Sequence, residues 1–170
     1  MLGKILKLFV GDKSKKDLKT ITPIIDQIHS FEDEIGKLNN DELRNQTSLF
    51  KEQIKSSISD VDEKIENLKI ELEKTKDFDK KESLFTEIDK LNEEGYKINE
   101  NTLNEILPKA FAVIKETAKR FVDNKEIVVT ANEYDLELST EKDYVKVTKD
   151  KATWLNSWDA AGKKIVWDMV

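Results

Sequence analysis

The stretch Leu103–Phe121, LNEILPKAFAVIKETAKRF, constrains the fold more than any other part of the chain. Ile106, Leu107, Ala110, Phe111, Val113, Ile114, Ala118 and Phe121 recur at steps of three and four. That spacing wraps a wide apolar stripe along one helix. Pro108 stands near the start of the stretch, where a missing N–H costs little if the helix proper begins there. Lys115, Lys119 and Arg120 fill the last turns, where cations suit the negative end of the helix dipole. A stripe this broad predicts a core helix, and the rest of the chain has to supply its packing partners.

Two further long helical patterns precede it. Leu43, Thr47, Phe50, Ile54, Ile58, Val61, Ile65, Leu68 and Leu72 alternate mostly by four and three. This is a heptad seam with one irregular step between Ile54 and Val61. Asn39 and Glu42 have the spacing of a capping box at its start. Asp77-Phe78-Asp79 breaks the pattern and caps a second arm, in which Leu84, Ile88, Leu91, Gly95 and Ile98 repeat the seam. A short turn between two such stripes predicts an antiparallel hairpin over 57–99.

Upstream, Leu18, Ile21, Ile24, Ile25, Ile28, Phe31, Ile35 and Leu38 keep a helical period over 17–38, with Pro23 expected to kink the helix or mark its start. The chain opens with LGKILKLFV, which sets Leu2, Ile5, Leu6 and Phe9 on one side and Lys4 and Lys7 on or near the other. This short amphipathic helix suits a membrane interface, or a berth on the protein's own core or on a neighbouring chain. Gly11-Asp12-Lys13-Ser14 reads as a stop and linker after it.

Beyond Asp123-Asn124 the residues become β-branched and alternating. Ile127–Thr130, Tyr144–Thr148, Ala152–Leu155 and Lys164–Trp167 read as strands of a small antiparallel meander, with Asn156–Gly162 as a connection. Trp154, Trp158 and Trp167 read as the core of that unit rather than as a binding patch.

Charge narrows the function. Charged and apolar residues each make up 38% of the 170 residues, a balance that elongated helices with much solvated surface produce. Residues 1–20 hold six lysines against two aspartates; the net charge is −6, which leaves −10 for the remainder. An acidic body repels nucleic acid, and a basic tip on it points to an anionic surface. There is no cysteine, so disulfide and thiolate chemistry are excluded. No apolar run reaches the length of a spanning helix. The single histidine, His29, lacks partners for a triad or a metal site and reads as a solvent-facing or boundary residue. Five scattered glycines form no GxxxxGK(S/T), GxGxxG or GxSxG loop. No residue is assigned as catalytic, cofactor-binding or metal-ligating.

Three segments resemble the SecA family, the motor subunit of the bacterial preprotein translocase. They are the basic amphipathic start Leu2–Val10, the run Asp41-Glu42-Leu43-Arg44 with Thr47 and Phe50, and most specifically Leu107–Arg120. The hairpin and the β region look like insertions carried by some lineages, and Asn156–Met169 resembles the second of these. The resemblance implies the N-terminal region of the motor, in a form cut just before its ATPase core. It implies ATP and Mg in the parent and none in this chain. It also implies contact of Leu2, Lys4, Ile5, Leu6, Lys7 and Phe9 with anionic phospholipid and a SecYEG-type translocation channel. Preprotein substrates through the parent and a cytoplasmic place on the inner face of the plasma membrane follow from it as well; the acidic body, not the resemblance, speaks against a nucleic-acid partner, and a homodimer is left open.

The expected fold is mainly α with a small C-terminal antiparallel β part (α+β). Its divisions are a basic helix (1–11), N-terminal helices (12–56), a coiled-coil hairpin (57–99), a core helix (100–123) and a β insertion (124–170). The expected function is membrane and channel attachment and scaffolding of the first nucleotide-binding domain. The alternative is a stand-alone coiled-coil interaction module tethered to an anionic membrane.

Overall fold

A computed structural model describes the backbone of residues 2–168 and the side chains of residues 17–168. The elements are α1 (Leu2–Gly36), α2 (Asn40–Lys74), α3 (Phe78–Asp123), β1 (Glu126–Thr130), α4 (Glu133–Glu141), β2 (Val145–Thr148), β3 (Lys151–Leu155), β4 (Ser157–Ala160) and β5 (Lys163–Val166). The architecture is mainly helical with small antiparallel sheets, as expected. Two compact units divide it, one made of Met1–Gln46 with Pro108–Val170 and the other of Thr47–Leu107.

The unit Thr47–Leu107 is a helical hairpin. Its arms run antiparallel, because Lys80 reaches Glu71 near the turn at 2.7 Å while Gly95 meets Val61 further down. Val61, Ile65 and Ile88 form the buried cluster, with Leu68, Leu91 and Ile98 packed on it. These are heptad positions on both arms, so the spacing placed them on the inner side. A Cβ on Gly95 would stand 3.3 Å from Val61 Cγ1. Glycine's cost in a helix, about 1 kcal/mol relative to alanine, is set against this close approach. Asp77 caps α3: its Oδ1 accepts from the backbone N–H of Asp79 at 3.0 Å and of Lys80 at 3.3 Å.

In the other unit, α1 lies along the last part of α3. Lys115 reaches Glu32 at 2.6 Å, Lys109 reaches Glu34 at 2.7 Å, and Lys109 Nζ sits 5.9 Å from the Phe31 ring centre. Ile35, Leu43, Ala112 and Val113 are buried. The capping box at α2 forms as its spacing predicts. Glu42 N–H donates to Asn39 Oδ1 at 2.9 Å, and Asn39 N–H donates to Glu42 Oε2 at 2.8 Å.

Three helical expectations change. The helix α1 is continuous from Leu2 to Gly36, so Gly11–Ser14 is not a break and Pro23 lies inside the helix. Thr22 Oγ1 donates to Leu18 O at 2.7 Å, one turn back. The helix α3 does not begin near Pro108 but thirty residues earlier, at Phe78; the division between the units falls at Leu107–Pro108. The apolar stripe of Leu103–Phe121 is only partly buried. Ile106 and Val113 are inside, whereas Leu107, Phe111 and Ile114 are exposed, because the stripe is wider than the strip its neighbours cover.

The strands are antiparallel, in the order β1-β3-β2, and β4-β5 forms a separate pair. A plain meander would put β2 in the middle. Here α4 occupies the connection between β1 and β2, and β3 pairs with both, setting Ala152 opposite Val129 and Val147. Val129, Val145 and Ala152 are the buried residues of the three-stranded sheet. Part of Asn156–Gly162, expected as a connection, is strand β4. Its turn to β5 is Ala161-Gly162, with φ of 49° and 75°, the pair of positive values that a two-residue hairpin of matching twist requires.

Replacement of the seam residue Ile88 by alanine is expected to lower stability by about 2–4 kcal/mol. Replacement of the outward Phe85 is expected to change it by about 0.5 kcal/mol or less. Urea unfolding followed by circular dichroism checks both.

Candidate functional site

The most connected polar cluster among the described residues lies where the β strands meet the start of α2. At its centre is Asp135, on the first turn of α4 and fully buried. The turn is built by a second capping box: Asp135 N–H donates to Asn132 Oδ1 and Asn132 N–H to Asp135 Oδ2, both at 3.0 Å. Arg44 on α2 donates to both Asp135 carboxylate oxygens, at 2.7 and 2.9 Å. The Trp154 indole N–H on β3 donates to Oδ1 at 3.0 Å. Tyr134 and Tyr144 lie against the Trp154 ring, with centroids 6.3 and 6.5 Å away.

A second set of bonds surrounds this pair. Asp41 accepts from the Thr130 backbone N–H at 2.6 Å and from its hydroxyl at 2.9 Å. Asn40 Nδ2 donates to Val128 O at 3.2 Å. On the far side of Asn40, Arg120 donates to Asn40 Oδ1 at 2.9 Å, to Leu38 O at 2.7 Å and to Glu116 at 2.8 Å. Asn156 Nδ2 donates to Phe121 O at 3.2 Å, and the Phe121 and Trp167 rings sit 6.2 Å apart. The end of α3, the start of α2 and the strands are thus held by side chains of which Asn40, Asp41, Arg44, Arg120 and Asp135 each donate or accept more than once.

The chemistry of this junction is positioning. Its groups are an ion pair, amides, an indole and a hydroxyl, all directed at one another. Among the described residues no group of three or more His, Asp or Glu side chains is placed to hold a metal ion. No described helix is long and apolar enough to cross a membrane. His29 is exposed, with Nδ1 2.9 Å from Glu32. Leu2, Lys4, Ile5, Leu6, Lys7 and Phe9, the residues expected to contact membrane and channel, fall on the first turns of α1. Their side chains lie outside the described residues.

Comparison with known proteins decides the family. The model of the SecA DEAD-like domain matches residues 6–139. The chain belongs to the SecA DEAD-like domain family. It is 54% identical over 169 residues to the protein translocase subunit SecA of Flavobacterium psychrophilum. It is 51% identical to that of Christiangramia forsetii over 169 residues and 45% identical to that of Phocaeicola vulgatus over 165. These matches cover 96–99% of this chain but 15% of each relative's length. No solved structure matches the chain.

Two of the three SecA-like segments supply the junction. Asp41 and Arg44 come from the Asp-Glu-Leu-Arg run, and Arg120 ends the Leu107–Arg120 run. Asp135 and Asn156 were not singled out by sequence. The Asn132-x-x-Asp135 spacing is a capping-box signal that could have found the first, while nothing local marks the second.

Burial alone pushes the Asp135 carboxyl upward. The Arg44 guanidinium, the Asn132 N–H and the Trp154 indole outweigh it and hold the group below the ordinary aspartate value of 3.8. Asp41 is lowered too, chiefly by the Thr130 backbone N–H. A carboxylate depressed on folding stabilises fully above its unfolded value, and the contribution is lost as pH falls through its folded value. Arg44→Met leaves a buried carboxylate without its cation. The expected cost is about 3 kcal/mol at neutral pH, with a rise in the pH midpoint of acid unfolding, and circular dichroism against pH checks both.

Proposed function

We propose that this chain is the N-terminal part of a protein translocase motor. In it, the chain attaches the motor to an anionic membrane surface and a SecYEG-type channel and scaffolds the first nucleotide-binding domain. The observation that carries the reading is 54% identity, across 99% of the chain, to a protein named protein translocase subunit SecA. In the whole protein, ATP with Mg powers movement of preproteins; this chain supplies the anchor and the frame. Its place is cytoplasmic, peripheral on the inner face of the plasma membrane.

Two features of the chain support the anchoring role. Six of its lysines fall within residues 1–20, and each near an anionic surface contributes about 1 kcal/mol. The backbone of α1 is helical from Leu2, and the same helix is held at its other end by the ion pairs of Glu32 and Glu34 with Lys115 and Lys109. A short helix that is marginal alone is here the first part of a long one. The hairpin over 57–99 and the β region over 124–170 are read as insertions on this frame.

Flotation with anionic and neutral liposomes, on the chain with and without residues 1–11, tests the anchor. Recovery is expected with anionic liposomes for the intact chain and lost on truncation. Equal recovery in all four cases would refute it.

A further inference from the structure

Five large apolar side chains of the hairpin unit point away from its core. Phe78, Phe85, Tyr96, Leu103 and Leu107 are 85, 54, 71, 46 and 37% exposed. At about 100° per residue, all five fall within about 20° of one line along α3, over a length of roughly 44 Å. The buried seam through Leu84, Ile88 and Thr102 runs about a third of a circumference away by the same geometry. The outer line is therefore a second stripe and not the margin of the first. Single exposed apolar residues are ordinary, but an aligned row with three aromatics is the pattern of a docking face.

The charge beside the row selects its occupant. Glu82, Asp89, Glu93 and Glu100 are exposed and lie within about 60° of the line, all on one side of it. None of the four has an ion-pair partner among the described residues. The other flank carries Lys81 with Asn92 and Asn99. Residues 47–107 hold sixteen acidic and ten basic side chains, so the whole net charge of −6 resides in this unit. Like charge disfavours an anionic membrane, a nucleic acid or the same face of a second copy. An apolar row edged by carboxylates complements a helix with an apolar face and cationic flanks.

We propose that the outward face of α3 between Phe78 and Leu107 docks a lysine- or arginine-rich amphipathic helix of a partner protein. The aromatic row takes the partner's apolar face, and Glu82, Asp89, Glu93 and Glu100 pair with its cations. This goes beyond the anchoring role, uses none of residues 1–11, and stands or falls separately from the flotation result.

The test uses two labelled 18-residue amphipathic peptides with the same leucine face, one flanked by lysine and one by glutamate. Their binding to the full chain is measured by fluorescence anisotropy at low and high salt. The lysine peptide is expected to bind at least tenfold more tightly, and more weakly as salt rises. Phe85→Ser with Tyr96→Ser is expected to weaken it at least tenfold. Glu82→Lys with Asp89→Lys, Glu93→Lys and Glu100→Lys is expected to reverse the preference between the peptides. Asp60→Lys with Asp62→Lys, Glu63→Lys and Glu73→Lys on α2 makes the same change in net charge and is expected to leave affinity within twofold. Circular dichroism confirms that each variant is folded. Equal affinity for both peptides, no effect of the serine pair, or an equal loss in the α2 control overturns the proposal. So does self-association of the chain, seen by sedimentation velocity, that the serine pair abolishes.

Discussion

A buried carboxylate needs donors, and the β region of this chain is organised by how Asp135 finds them. Removing a charge from water costs several kcal/mol unless opposite charge and hydrogen bonds replace the lost solvent. Asp135 is met by Arg44 through both oxygens, by the Trp154 indole and by the Asn132 backbone. Each donor sits on a different element: α2, β3 and the cap of α4. Satisfying one side chain therefore sets three elements at once. The planar fork of arginine is suited to this task, since two parallel bonds restrict both distance and rotation.

Arg120 does comparable work at the opposite end of the junction. Its guanidinium spans Glu116 on its own helix, the Leu38 carbonyl in the turn after α1, and the Asn40 side chain that begins α2. A carbonyl in a turn has no helix or strand ladder to pair it, and Arg120 satisfies this one. Asn40 then passes the connection to Val128 on β1. Two of the sequence segments that resemble SecA are thus where polar side chains join helices to strands, while the hairpin relies on apolar packing of Val61, Ile65 and Ile88.

The hairpin was legible because its information is local. Heptad spacing, the Asn39–Glu42 box and the Asp77 cap each depend on residues a few positions apart, and each formed where the pattern stood. The errors fall where local signals compete. Gly11 and Pro108 are breakers by propensity, at a cost of about 1–3 kcal/mol, yet α1 and α3 run through them. The helix α4 has only nine residues between β-branched runs, too short for a periodic signal to emerge. The spacing sets the breadth of the Leu103–Phe121 stripe but not how much of it is covered, since width on one helix says nothing of its neighbours.

By itself the sequence determined the helical character, the two heptad arms and their turn, the strand-rich C-terminal region, the uneven charge and the family. All but the family, which the resembling segments gave, are sums over near neighbours or over composition. Tertiary structure decided the β1-β3-β2 order, the unburied row on α3 and the Arg44–Asp135 pair. Those depend on which distant segments meet: Arg44 and Asp135 stand 91 residues apart. No pattern within a turn or a strand encodes such a pairing, because its free energy exists only once water has been removed from both partners together.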